Sequence, residues 1–233
     1  MNRKDINISD TLSGLVGITT GYHKPGMAGA VVARPGVGKT PFLVQVALHA
    51  MMAGRNVMHV SLQDPIKKVA FWYEQIFSLL RERHHEPEKF VTLDSLVSHR
   101  FIMTMHVSGF SVEALGERVS DLVEQDLFVP DMLVIDGLPF GGIRQEMVEG
   151  LKKMGLDMNF GTWLSFPVHR EEERGENNMP VSVIDLQASL DFVWELVPDG
   201  RKIHVRRLKD DLEPDGSIVG IYMDPSTMLL AVP

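Results

Sequence analysis

Two kinds of hydrophobic pattern alternate along the first two thirds of the chain: short apolar runs and longer amphipathic stretches. Ala28-Gly-Ala-Val-Val-Ala33 is a continuous run of small and β-branched residues, the character of a strand buried on both faces. Val57-Met-His-Val-Ser-Leu62, Phe101-Ile-Met-Thr-Met-His-Val107, Met132-Leu-Val-Ile-Asp136 and Thr162-Trp-Leu-Ser-Phe166 predict further strands. The stretches between them read as helices. One runs from Phe42 to Met52 and stops at Ala53-Gly54-Arg55-Asn56. Lys67 to Arg83 carries Val69, Phe71, Trp72, Ile76, Phe77, Leu79 and Leu80 on a wide apolar face. The charged segment 84–100 contains Pro87 and predicts a surface loop with a short helix. Ser111 caps a helix reaching Glu124, and Ile143 to Met158 forms another.

After residue 168 the character changes. His169 to Pro180 is polar and unpatterned, which predicts a mobile loop. Leu190 to Val197 and Lys202 to Leu208 read as strands around the turn Pro198-Asp199-Gly200. A second turn, Pro214-Asp215-Gly216, leads to Ile218–Met223, and Met228 to Val232 adds a last strand. Strand–helix alternation followed by ribbons predicts an α/β fold: a mostly parallel central sheet flanked by helices, with an antiparallel C-terminal edge. The 233 residues suit a single domain over 1–233, with 1–20 as a lead-in whose Leu12, Leu15, Val16 and Ile18 can pack on the core.

Composition narrows the setting. Zero cysteines remove disulfides and thiolate metal sites, so a reducing cytoplasm is expected. No apolar run approaches the ~20 residues of a membrane span, and Met1-Asn-Arg-Lys-Asp5 has no signal-peptide core behind it. No membrane association is expected. A formal net charge of −8 argues against broad attraction to nucleic acid.

The candidate chemistry centres on Ala33-Arg34-Pro35-Gly36-Val37-Gly38-Lys39-Thr40. This is the phosphate-binding pattern G-x-x-x-x-G-K-S/T with Ala33 in the first glycine's place, and it sits between a predicted strand and a predicted helix. Gly36 and Gly38 allow successive N–H groups to turn toward a phosphate, and the helix N-terminus adds partial positive charge. Lys39 reaches the β- and γ-phosphates, and the Thr40 hydroxyl ligates Mg²⁺. Pro41 suits a first helical turn, where its missing N–H is not needed. The expected ligands are therefore ATP and Mg²⁺, with Arg34 to Pro41 as the cradle.

Asp136, at the carboxyl end of a buried strand, is the second candidate metal ligand; the alternative is a strand-end turn aspartate. Gln63 and Asp64 end the second strand and are candidates to orient or deprotonate an attacking water, or are simply turn residues. Ser165 is either a γ-phosphate sensor or a strand cap. Arg206, Arg207 and Lys209 form a basic cluster in which strand alternation places Arg207 and Lys209 on one face, as a phosphate clamp or as charges protecting an edge. His84 and His85 share no helix face, and none of the nine histidines has metal-site spacing. Phe71-Trp72-Tyr73 reads as core packing in preference to a base-stacking platform.

Together these residues resemble the RecA-like ATPases, in the branch of the DnaB-type helicase ATPase domain and the KaiC-like ATPases. Pro25-Gly26 and the loop at 33–40 resemble that branch's "PG … ARPGxGKT". Val60-Ser-Leu-Gln63 resembles "FSLE", Leu133-Val-Ile-Asp136 the second Walker motif, Leu164-Ser165 with His169-Arg170 "LSQ…NR", and Val205-Arg-Arg-Leu-Lys209 the strand with "KxR" fingers. The resemblance implies self-assembly, with Arg207 and Lys209 reaching a neighbouring copy's nucleotide, or alternatively a different protein partner. It also marks departures. Gln63 stands for the catalytic glutamate, Phe166 for the sensor glutamine, and the finger pair is reversed in type. The segment that would face DNA carries Glu171, Glu172, Glu173 and Glu176 against Arg170 and Arg174. Three functions follow: a slow or regulated ATPase, a pseudo-ATPase binding module, and a DNA helicase or recombinase motor, which the charge disfavours.

Overall fold

The computed structural model describes residues 22–83, 91–141, 143–211 and 220–231. Its first strand, β1 (Ala28–Ala33), is buried along its whole length. Then come α1 (Lys39–Met52), β2 (Val57–Ser61), α2 (Ile66–Arg83), the short α3 (Leu93–Val97) and β3 (Arg100–Thr104). After them lie α4 (Val112–Glu124), β4 (Met132–Asp136), α5 (Gln145–Met158) and β5 (Gly161–Pro167). A one-turn α6 (Val181–Ile184) precedes β6 (Phe192–Asp199), β7 (Lys202–Asp210), β8 (Tyr222–Met223) and β9 (Leu230–Ala231). These strands form one sheet in the order β3-β2-β4-β5-β1-β6-β7-β8-β9. Pairing is parallel from β3 to β6 and antiparallel from β6 to β9. The expected mixed sheet with an antiparallel C-terminal edge is the observed one.

Strand alternation sends side chains into two cores. From β1, Ala28, Ala30 and Val32 face one side, with Leu115 and Val119 of α4 and Val148, Leu151 and Met154 of α5. Val31 and Ala33 face the other, under α1 and α2. That second core holds the aromatic cluster Tyr22, Phe42, Trp163, Phe192 and Trp194, with Tyr22–Phe192 and Trp163–Phe192 centroids 4.7 and 4.5 Å apart. Gly29 makes this packing possible, because a Cβ there would stand 2.0 Å from the Phe192 ring.

Boundaries moved where local polar contacts outweighed hydrophobic pattern. The helix expected from Phe42 begins at Lys39, since Gly38 adopts φ 113 and turns the chain directly into its first turn. β3 ends at Thr104, before the expected Val107, because the His106 ring accepts the Ser108 N–H and caps a 3₁₀ turn. Ser111 caps α4 as expected, accepting from Ala114 N at 3.1 Å. The aromatic triplet splits: Tyr73 is buried, Trp72 is half-buried and Phe71 is 53% exposed, as successive helical positions point in different directions. The lead-in 1–20, residues 84–90, the turn at 214–216 and Val232 lie outside the described residues.

The segment 169–180 departs most from expectation. It is held by polar contacts as well as by Met179, which is fully buried in the core. Glu172 accepts from the backbone N–H groups of His169, at 3.1 Å, and of Ser182. Arg174 forks onto Glu195 of β6 at 2.7 and 3.0 Å and donates to Asn178 O at 3.1 Å. Periodicity is blind to such a pair, because Glu195 lies 21 residues away in sequence. Glu195 is 3% exposed, so removing its partner strands a buried charge. Arg174→Met is expected to destabilise the protein by about 3 kcal/mol in urea unfolding, against near-neutrality for truncation of exposed Arg170.

Candidate functional site

The carboxyl ends of β1, β2, β4 and β5 open together into a cleft of 480 Å³. Pro35, Gly36, Gly38, Lys39, Thr40 and Pro41 line one wall. Arg34 and Val37, expected in the cradle, belong to the same turn but do not line the cleft. Gly36 and Gly38 adopt φ 77 and 113, and Phe42 N–H donates to Gly38 O at 3.0 Å, starting the helix at the loop. Ala33 needs no left-handed conformation because it is still part of β1. The Lys39 ammonium arches over the turn and donates to Ala33 O at 3.2 Å and Arg34 O at 3.4 Å. Burial pushes its pKa down, against the raising influence of Asp136.

Asp136 closes the opposite wall. Thr40 Oγ1 donates to its Oδ2 at 2.6 Å, and the Ser165 hydroxyl donates to its Oδ1. The same Ser165 oxygen accepts from Gly137 N at 2.9 Å. Burial pushes the carboxyl up, but the polar groups of His59, Ser165 and Thr40 outweigh it and hold Asp136 below the usual carboxylate range. It is ionised at neutral pH. A hydroxyl and an ionised carboxylate in contact are hard oxygen donors, the chemistry Mg²⁺ takes. Among the described residues no group of three or more His, Cys, Asp or Glu could hold a metal.

Gln63 and Asp64 stand beside this pair on the turn after β2, and both line the cleft. Gln63 Nε2 donates to Gly137 O at 2.7 Å, so the turns after β2 and β4 are tied together. Asp64 accepts from Lys68 at 2.8 Å. Arg207 and Lys209 do not line the cleft, and they do not share a face. Trp194 pairs with Arg207 and Val193 with Lys209, leaving Leu208 as the extra residue of a bulge. Arg207 lies over the Trp194 ring at 5.7 Å and pairs with Asp210 at 3.0 Å. Lys209 points the other way and donates to Gln187 O and Leu190 O at 2.8 and 2.5 Å.

Several contributors carried little sequence signal. Trp72 and Met228 line the cleft from α2 and the β8–β9 turn. Gln45, fully buried on α1, donates to Met228 O at 2.8 Å and Pro41 O at 3.1 Å and accepts from Leu230 N at 2.7 Å. It fastens the C-terminal hairpin to the phosphate-loop helix. His59 had a readable signal: a polar side chain inside an apolar strand run, here fully buried near Asp136.

No protein-family model and no curated protein matches the chain. Solved structures do: an ATPase domain superposes with a TM-score of 0.68 at 17% sequence identity, covering 98% of this chain and 93% of the other. The chain therefore has the fold of that ATPase domain, a mostly parallel α/β sheet with an antiparallel C-terminal edge, as its pattern predicts. Among the described residues no helix is long and apolar enough to cross a membrane.

A Cβ at Gly38 would meet Met223 Cε at 2.9 Å, whereas one at Gly36 would meet nothing within 4 Å. Both positions are left-handed, so both alanines carry a backbone penalty of about 1 kcal/mol. Gly38→Ala is expected to cost more than Gly36→Ala in thermal unfolding, the difference measuring how closely the C-terminal hairpin abuts the loop.

Proposed function

We propose that this protein is a single-domain, ATP-binding P-loop protein, a slow or regulated Mg²⁺-dependent ATPase whose nucleotide state controls its assembly. The observation that carries the reading is the contact between Thr40 and Asp136 at the mouth of a glycine loop that leads straight into a helix N-terminus. Loop N–H groups and the helix dipole attract the phosphates, and Lys39 leaves its carbonyl partners to neutralise the outer ones. Thr40 and Asp136 hold Mg²⁺, which when bound offsets the charge of the phosphate oxygens during transfer. Trp72 offers a flat, half-buried face on the cleft suited to a base.

Water is handled by the turn after β2. The Gln63 amide orients it, as a glutamine does in GTPases, and Asp64 is the nearby carboxylate able to take its proton once released from Lys68. An amide cannot accept that proton itself. Gln63 therefore also favours a second reading, a module that holds ATP and presents a surface to a protein partner. A homo-oligomer is supported by the finger resemblance alone: Arg207 and Lys209 would serve a neighbouring site only by exchanging their present partners. A nucleic-acid motor is disfavoured by the net charge of −8 and by exposed Glu171, Glu173 and Glu176 on the segment after β5. A cytoplasmic setting suits a chain without cysteine.

The test combines ATP binding, steady-state hydrolysis with Mg²⁺ and particle size by light scattering on one sample. Lys39→Ala is expected to weaken ATP binding at least ~10-fold with unchanged unfolding temperature, because it removes a cation from the phosphates and no core contact; wild-type affinity in this variant refutes the site. Gln63→Glu supplies a general base and is expected to raise turnover about 10-fold or more. Unchanged turnover in Gln63→Glu, with loss in Asp64→Ala, assigns the base to Asp64 and excludes the pseudo-ATPase.

A further inference from the structure

β2 places a fully buried histidine next to the candidate metal ligand. His59 Nδ1 lies 3.1 Å from the Tyr73 hydroxyl, and Nε2 lies 3.9 Å from Asp136 Oδ2. The second distance exceeds a hydrogen bond, so Nε2 is a buried nitrogen with no hydrogen-bond partner among the described residues. An apolar residue would avoid that cost in a strand whose other central positions are Val and Met.

The ring is held by its neighbours. The Tyr73 hydroxyl, its pKa pushed up by burial, lies within hydrogen-bond reach of Nδ1. The other ring nitrogen, Nε2, is on the side of Asp136. Tyr73 is in turn covered by the Arg100 guanidinium, 4.7 Å above its ring centroid. Thr40 and Ser165 engage the carboxylate from the loop and from β5, while His59 approaches it from the sheet interior.

We infer that His59 is a positioning residue for the magnesium site, its polar Nε2 edge facing the Asp136 carboxylate from inside the sheet and backing its orientation toward Thr40. The inference rests on the reading that this cleft binds ATP with Mg²⁺. Partners behind a ligand fix its orientation, and their loss typically lowers metal affinity ~10–100-fold. A purely space-filling ring does not act this way. The two roles separate in substitutions, because glutamine keeps a polar group near the Nε2 position whereas phenylalanine keeps only the ring.

The experiment is ATP binding by the full chain, titrated in EDTA and in graded MgCl₂. His59→Phe is expected to lower the Mg²⁺ affinity of the ATP complex ~10-fold while ATP affinity in EDTA stays within ~2-fold, and His59→Gln to retain most of the wild-type Mg²⁺ affinity. Unchanged Mg²⁺ affinity in His59→Phe, or equal losses with and without Mg²⁺, overturns the inference. Should His59→Phe fail to fold, Tyr73→Phe removes the hydroxyl that holds Nδ1 and is expected to weaken Mg²⁺ ~3-fold; no change overturns it equally. Wild-type protein that binds no ATP under either condition refutes the nucleotide reading itself. ATP binding insensitive to Mg²⁺ in the wild type refutes the metal site and His59's role while leaving the phosphate loop standing.

Discussion

An ionised carboxylate at the end of a buried strand must be surrounded by polar groups or it will not stay charged. Asp136 is 4% exposed, and its partners come from separate elements: Thr40 at the start of α1, Ser165 on β5 and His59 on β2. Those partners can converge only if β2, β4 and β5 are adjacent and parallel and the loop after β1 reaches across them. The register provides this, with Ser61 opposite Asp136 and Ile135 opposite Leu164. One buried charge thus depends on the strand order, which brings Asp136, Ser165 and the glycine loop to a common rim.

The sequence carried the fold well because its signals were local. The run Ala28–Ala33, the glycine loop and the strand closing on Asp136 each declare themselves within a few residues, and the structure places them side by side. What sequence hid was long-range polar pairing. Arg174 with Glu195 turned an unpatterned polar stretch into a tethered one, and Gln45 with Leu230 joined positions 185 residues apart. A single bulge at Leu208 also defeated simple alternation, sending Arg207 and Lys209 to opposite faces. Neither effect leaves a periodic trace.

The candidate site was legible in part for the same reason. The residues that touch phosphate in P-loop proteins form a contiguous motif, so they could be named from spacing. Others around the cleft are scattered: Ser165, Trp72, His59 and Met228 come from four different elements, and of these only Ser165 was a candidate from the sequence. The fold does not choose among functions either, because one fold hosts many chemistries. Gln63, bonded to the Gly137 carbonyl, is where the chemistry of this chain departs from the family it resembles.

The fastening of the C-terminal hairpin has a temporal meaning. The phosphate loop occurs early in the chain, yet Met228, which forms part of its cleft and whose carbonyl Gln45 holds, follows Gln45 by 183 residues. Contacts between such distant segments close late, because the intervening chain must first be ordered. During synthesis the loop emerges long before its wall exists. The cleft is therefore completed only after nearly all of the sheet is in place, and a half-made chain presents a glycine loop that is open on that side.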